Sequence, residues 1–236
     1  MRCLMEKEKR QRIWELDFLR GIALIMMIYF HVIYDMKDIY GYDVVYSYGI
    51  NYWIGKISAS MFILISGVSS TLSRSNVKRG LRVLAAGMAI TLITYLYDPE
   101  FIIKFGILHF LGISMLLYPL FQKMRWEALA AIGTAVIIVG KVLERINAPN
   151  DYFFAFGLTS SSFFSSDYYP LLPWFGLFLY GVLLGKLLYS RRKSLFGFSL
   201  KDNIISSAGR HTLAIYLIHQ PVIIAVLSLI NRLAGK

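Results

Sequence analysis

The sequence predicts an all-α fold, a polytopic membrane bundle of about seven transmembrane helices, and three observations predict it. The 236 residues are 57% hydrophobic, with a mean hydropathy of +0.56. Several apolar runs are long enough to cross a bilayer core of roughly 30 Å. Segments such as LAAIGTAVIIVG and LIHQPVIIAVLSLI lack the polar face that keeps an amphipathic helix in solution.

Apolar windows between polar punctuation place the helices at 16–36, 53–73, 81–97, 104–121, 127–143, 171–189 and 211–232. The first follows a basic N-terminal stretch and holds LDFLRGIALIMMIYFHVIYDM. The second ends at the basic loop SRSNVKRGLRVL, from which the third runs to DPE. The fourth carries KFGILHFLGISMLL and the fifth LAAIGTAVIIVG. The sixth holds a GxxxG at Gly181 and Gly185, a packing signal. In the seventh, Pro221 removes a helical hydrogen bond and frees the carbonyl of Leu217.

Charge sets the orientation. With the N-terminus inside, the inside segments hold Arg2, Lys7, Lys9, Arg10, Arg12, then Arg74, Lys78, Arg79, Arg82, then Lys123, Arg125, and finally Arg191, Arg192, Lys193, Lys201, Arg210. The outside segments hold only Lys37, Lys56, Lys104, Lys141, Arg145, Arg232 and Lys236, so the expected topology is N-terminus in, C-terminus out. The net charge of +11 is therefore spent on topology, and nucleic acid is not an expected partner. Residues 1–15 read as a cytoplasmic basic tail and 16–236 as a single transmembrane domain without an internal repeat. The lone Cys3 rules out an intramolecular disulfide. The first apolar run carries Arg20 and His31 and has no small-residue cleavage site, so it reads as a retained span.

The connection 144–170 stands apart, being broken by Pro, Gly and Ser yet rich in Phe and Tyr. Two compatible readings are an interfacial segment at headgroup level and a lid over a site that opens outward.

Ionisable groups in hydrocarbon mark a site by default, and the first helix has four: Asp17, Arg20, His31 and Asp35. At about 100° per residue they fall within a stripe about 60° wide, and Arg20 and His31 are separated by roughly 16 Å of rise. Asp35, one turn beyond His31, is placed to hold one imidazole nitrogen and leave the other as a base for a hydroxyl or amine. The bland reading is that these groups only satisfy one another. Towards the inner face, Arg20 lies near Arg74, Lys78, Arg79 and Arg82, a cluster suited to phosphate, although topology alone also explains a basic loop. His109 and His219, the latter beside Gln220 and Pro221, either line a cavity or bridge helices. No zinc-type spacing, phosphate-binding glycine loop or nucleophilic serine elbow is present, so no metal is expected.

The segment LDFLRGIALIMMIYFHVIYD resembles the first span of the bacterial family related to the catalytic domain of heparan-α-glucosaminide N-acetyltransferase. The Arg20-to-His31 spacing is similar to that of the wider membrane acyltransferase clan. ILHFLGISMLL around His109, the stretch from Phe164 to Gly185 and GRHTLAIYLIHQP extend the match over most of the chain. The resemblance implies an integral-membrane acetyltransferase that takes an acyl group from cytoplasmic acetyl-CoA, with no metal, and passes it to an extracytoplasmic sugar or glycan. It implies that His31 is catalytic with Asp35, and that Arg79 and Arg82, with Arg20, Lys78 and Arg74, hold the CoA phosphates. Asp17, His109, Asp167, His219 and Gln220 would line the cavity, with Gln220 steadying the oxyanion. His31 acts either as a direct base or through an acyl-histidine. The implied setting is a multi-pass protein of the bacterial plasma membrane, and both a monomer and a homo-oligomer stay open. The rival readings are a proton-coupled transporter or small-anion carrier using the same stripe, and a non-catalytic scaffold.

Overall fold

The structure is a computed structural model and describes residues 13–198, 200 and 203–234. The basic tail of residues 1–12 with Cys3, together with Lys201 and Lys236, lies outside the described residues. Among the described residues the fold is all-α. In chain order the helices are α1 (Trp14–Asp38), α2 (Gly49–Leu72), α3 (Asn76–Tyr97), α4 (Ile107–Phe121), α5 (Trp126–Leu143), α6 (Leu171–Leu188), α7 (Ile204–Arg210) and α8 (Thr212–Leu233). Six of these are long and apolar enough to span a membrane, and α4 is a shorter apolar helix of 15 residues. This is a polytopic membrane bundle.

Contacts between connections show which end each helix reaches. At the near end, where α1 begins, Trp14 Nε1 donates to the Phe198 carbonyl and Glu15 Oε1 accepts from Leu195 N–H. Arg20 reaches Ser69 at the end of α2, and Lys186 near the end of α6 donates to the Met124 carbonyl. At the far end, Tyr40 donates to the Ile224 carbonyl and Tyr42 to Asn231, while Ser166 N–H donates to Ile102 O and Tyr169 N–H to Phe105 O. The chain therefore crosses the bundle seven times, as α1 to α6 and then α8. The short α4 manages its crossing with about 22 Å of helix because the loop 144–170 completes it at the far end.

Two features differ from the expected elements. The last span is preceded by the separate helix α7, capped by the Asn203 side chain on Ser206 N–H. It lies so close to α1 that a Cβ on Gly209 would collide with the Asp17 carbonyl. The loop 144–170 is an ordered cap with one 3₁₀ turn (Phe154–Phe156) and two isolated bridges, Phe105 to Tyr168 and Asn147 to Thr159.

The core sits where α2, α4, α5 and α6 meet α1, around Leu24, Ile63, Phe110, Leu129, Phe178 and Leu179, all essentially without exposure. Glycines set the crossing distances: a Cβ on Gly67 of α2 would lie 2.8 Å from Gly181 Cα, and one on Gly185 would lie 2.6 Å from Thr71 Oγ1. The predicted GxxxG thus packs α6 onto α2, since small residues let helix backbones approach in a membrane. Large apolar side chains of α3, α5 and α8, among them Leu96, Ile138 and Leu229, remain exposed, as a lipid-facing surface requires.

Candidate functional site

The polar stripe of α1 leads to two clusters, one at each end of the bundle. At the near end, Arg20 donates to Asp17 Oδ1 at 2.5 Å and to Ser69 Oγ at 2.6 Å. Arg79, from the first turn of α3, donates to the carbonyl of the same Ser69 at 3.4 Å. Two guanidiniums thus converge on one residue, which is favourable for them only when anions or dipoles lie nearby. Asp17, the carboxylate that Arg20 holds, is buried. Arg74, Lys78 and Arg82 are exposed in the same segment, so only Arg79 of that basic group turns inward. Sequence reasoning missed Ser69. Its signal was the polar run Ser66, Ser69, Ser70 at helical spacing in an otherwise apolar α2.

The far-end cluster is built by α1 and α8. His31 is half-buried, and its Nδ1–H donates to the Met27 carbonyl at 2.9 Å. His219 is buried, and its Nδ1–H donates to the Tyr216 carbonyl at 2.5 Å. In each neutral ring the proton is thereby fixed on Nδ1, leaving Nε2 as the acceptor. The ring centroids are 4.8 Å apart, edge to face. His219 Nε2 has no hydrogen-bond partner among the described residues.

The expected pairing of Asp35 with His31 does not form. Helical side chains lean towards the N-terminus, which brings His31 onto the carbonyl four residues before it and away from the residue four after it. Asp35, with no exposed surface, instead accepts at 2.7 and 2.8 Å from Gln220 Nε2, tying α1 to α8. The Gln220 amide N–H is thereby held by Asp35 in this structure. Its Oε1 is buried without a partner.

His109 is placed elsewhere. Its Nδ1 accepts from Gly106 N–H at 3.2 Å and its Nε2 contacts Thr91 Oγ1 at 3.1 Å, while the ring stacks on Phe105. Both ring nitrogens are satisfied within the α3–α4 corner, the arrangement of a histidine that bridges helices. Asp167 also has a structural duty: Oδ2 accepts from Ile107 N–H at 2.8 Å and closes the start of α4. A carboxylate in a helix's first turn meets unpaired N–H groups and the positive end of the helix dipole. Burial nevertheless pushes the Asp167 carboxyl up to about 6, with the Ile107 N–H and the Lys56 charge pulling the other way.

Asp167 also belongs to an aromatic mouth that sequence reasoning did not assemble. It lies within electrostatic reach of Lys56, Tyr169 and Tyr216. The Lys56 ammonium sits 5.4 Å from the Trp174 ring, and Tyr169 and Trp174 have centroids 5.0 Å apart. Tyr216 in turn lies 5.1 Å from the His219 ring, and Ser166 of the loop flanks the Tyr34 hydroxyl on α1. Tyr216 thus stands between Asp167 of the cap loop and the His219 ring.

A family model described as "Heparan-alpha-glucosaminide N-acetyltransferase, catalytic" matches residues 12–221. No curated protein and no solved structure matches the chain. The matched span covers both clusters and stops at Pro221, just past the Asp35–Gln220 contact.

Proposed function

Because the chain belongs to the heparan-α-glucosaminide N-acetyltransferase catalytic-domain family, a family of membrane acyltransferases, we propose that it moves an acetyl group from acyl-CoA to a sugar or glycan hydroxyl or amine. The near end, which carries Arg74, Lys78, Lys123, Arg125 and Arg191 to Lys193, is the cytoplasmic face on the positive-inside principle. The donor substrate enters there and the acceptor enters at the far end, in a bacterial plasma membrane. The observation that carries this reading is that α1 meets α3 in a guanidinium cluster at one end, Arg20 with Arg79, and α8 in a pair of oriented imidazoles at the other, His31 with His219.

Donor recognition falls to Arg79 and Arg20, whose convergence on Ser69 leaves an electropositive point that phosphate oxygens would relieve. The exposed Arg74, Lys78 and Arg82 add a long-range field around it. The donor supplies an activated acyl carbonyl, and the protein supplies position and a base. His31 has Nε2 free because Met27 holds Nδ1–H, and it takes the proton of the acceptor hydroxyl or amine as that group bonds to the acyl carbon. Lys56, Trp174, Tyr169 and Asp167 would flank the incoming acceptor with aromatic faces and charges of both signs. The aromatic cap and the apolar core restrict water, which would otherwise compete as acceptor.

The full-length protein in proteoliposomes, supplied with labelled acetyl-CoA and glucosamine as the probe acceptor, tests this. The expected result is free CoA thiol with label transferred to the sugar. Label retained on His31 when the acceptor is withheld would identify the acyl-histidine route. Absence of acetyl-CoA binding and turnover would overturn the reading, and solute uptake without acyl turnover would replace it with a carrier.

A further inference from the structure

We propose that His219 is the proton-relay partner of His31, a role that rests on the acyl-transfer reading above. Three features of the far-end cluster carry it. First, His219 Nδ1–H is fixed on the Tyr216 carbonyl, so Nε2 is the open acceptor of the neutral ring. Second, that Nε2 is buried with no hydrogen-bond partner among the described residues, a state that ordinary packing avoids because an unanswered buried acceptor is destabilising. Third, its ring lies edge to face with His31 at 4.8 Å between centroids. His31 is oriented by the same device, an Nδ1–H on a backbone carbonyl.

Two imidazoles held in the same tautomer form a pair with two open nitrogens for one transferred proton, which moves between them through one bridging water, since no hydrogen bond joins the two rings directly. The titratable neighbours are few. From α1 come His31 and Asp35, the latter already bound to Gln220. From α8 comes Tyr216, with Asp167 of the cap loop in electrostatic reach of it. Among the described residues no hydrogen bond or ion pair puts a carboxylate on either imidazole.

The step balances as follows. The acceptor's O–H or N–H bond breaks as its heteroatom bonds to the acyl carbon, and the proton goes to His31 Nε2. It passes to His219 Nε2 while the C–S bond breaks. The leaving thiolate of CoA then takes the proton, and both rings return to neutral. His219 receives its proton from His31 and gives it to the leaving sulfur, so it serves as the general acid of the pair while His31 is the base.

The experiment compares full-length wild type, His219→Gln, His219→Ala and His211→Gln in proteoliposomes with acetyl-CoA and glucosamine. His211 is an exposed histidine at the start of α8 and serves as the control. The expected result for His219→Gln is a fall in kcat of about 10²-fold with the KM for acetyl-CoA held. His219→Ala recovers part of its rate when free imidazole is added, and His211→Gln behaves as wild type. A His219→Gln protein that keeps kcat within about twofold while wild type turns over overturns the relay and leaves acyl transfer standing. Loss of rate in both His219 variants with no imidazole rescue and a matching loss of acetyl-CoA binding assigns His219 to structure and overturns it as well. A wild-type protein that turns over no acetyl-CoA overturns the relay together with the reading beneath it.

Discussion

The two ends of α1 handle charge within a membrane in opposite ways. At the near end the charges answer one another: Arg20 holds Asp17 and Ser69, and Arg79 holds the Ser69 carbonyl. Among the described residues, buried acceptors are left over at both ends, Glu15 Oε2, Ser66 Oγ and Asn76 Oδ1 at the near one and His219 Nε2 and Gln220 Oε1 at the far one, but only at the far end does one belong to an imidazole that can take up a proton. A satisfied cluster is stable at rest and can exchange a serine for a phosphate when a ligand arrives. An unsatisfied buried acceptor costs about 1–3 kcal/mol in the resting protein, and such a cost is typical of sites arranged for chemistry. The near end thus has the character of an anchor, and the far end that of a reaction centre.

The sharpest way to break this division is His31→Ala. Release of CoA thiol is expected to fall by at least about 10²-fold, while equilibrium binding of acetyl-CoA stays near wild type because every near-end contact is intact. If binding falls in parallel with turnover, the two ends are one site and the contrast fails.

Gly209→Val attacks the near end through its frame. The new Cβ would collide with the Asp17 carbonyl, and α7 has to shift from the turn of α1 that carries the Asp17–Arg20 pair. Overpacking of this kind typically costs about 1–3 kcal/mol, read as a lowered midpoint of thermal unfolding in detergent. Weaker donor binding should accompany it. Unchanged stability would mean that the α1–α7 contact is looser than the packing shows.

Arg79→Gln sharpens the comparison with a smaller effect. Losing one guanidinium from a phosphate site should raise the KM for acetyl-CoA by about tenfold, equivalent to about 1.4 kcal/mol. The kcat should hold within about twofold, since Arg79 of α3 lies at the opposite end of the bundle from the imidazoles. A loss confined to kcat would place Arg79 with the chemistry instead of the anchor.

How much of this could be read beforehand follows from the kind of signal each residue gives. The seven crossings were legible because apolar runs between basic loops are a length-scale signal, and α1's stripe was legible because ionisable residues stand out in such a run. α7 was not, because IISSAGR is too short to show a period and runs straight into the last span. The near end was half legible: Arg20 and Arg79 were candidates, while Ser69, which joins them, was hidden among the serines of α2. At the far end His31, His219, Asp35 and Gln220 were all named, but with the wrong pairing. Asp35 finds Gln220 across 185 positions of chain, and only the docking of α8 on α1 decides that. Lys56, Tyr169, Trp174 and Tyr216 gave no signal, because aromatic residues are ordinary content of membrane helices and their borders.

Asp167 carries the smallest effect and tests whether the far-end cap is wired to protons. Its carboxyl is raised from 3.8 to about 6 in the folded protein, first by burial and against the opposing pull of the Ile107 N–H and Lys56. Between these two values the folded state binds more protons than the unfolded state, so the unfolding free energy falls as pH rises. The stabilising contribution of the protonated form is complete below about pH 4 and lost above about pH 6, and its partial exposure limits it to about 2 kcal/mol or less. Asp167→Asn keeps a carbonyl oxygen to accept the Ile107 N–H but cannot titrate. Thermal unfolding measured across this window should therefore fall for wild type and lose most of that slope in the variant. Equal slopes would show that Asp167 is solvated at the mouth and that the cap over the imidazoles is open to water.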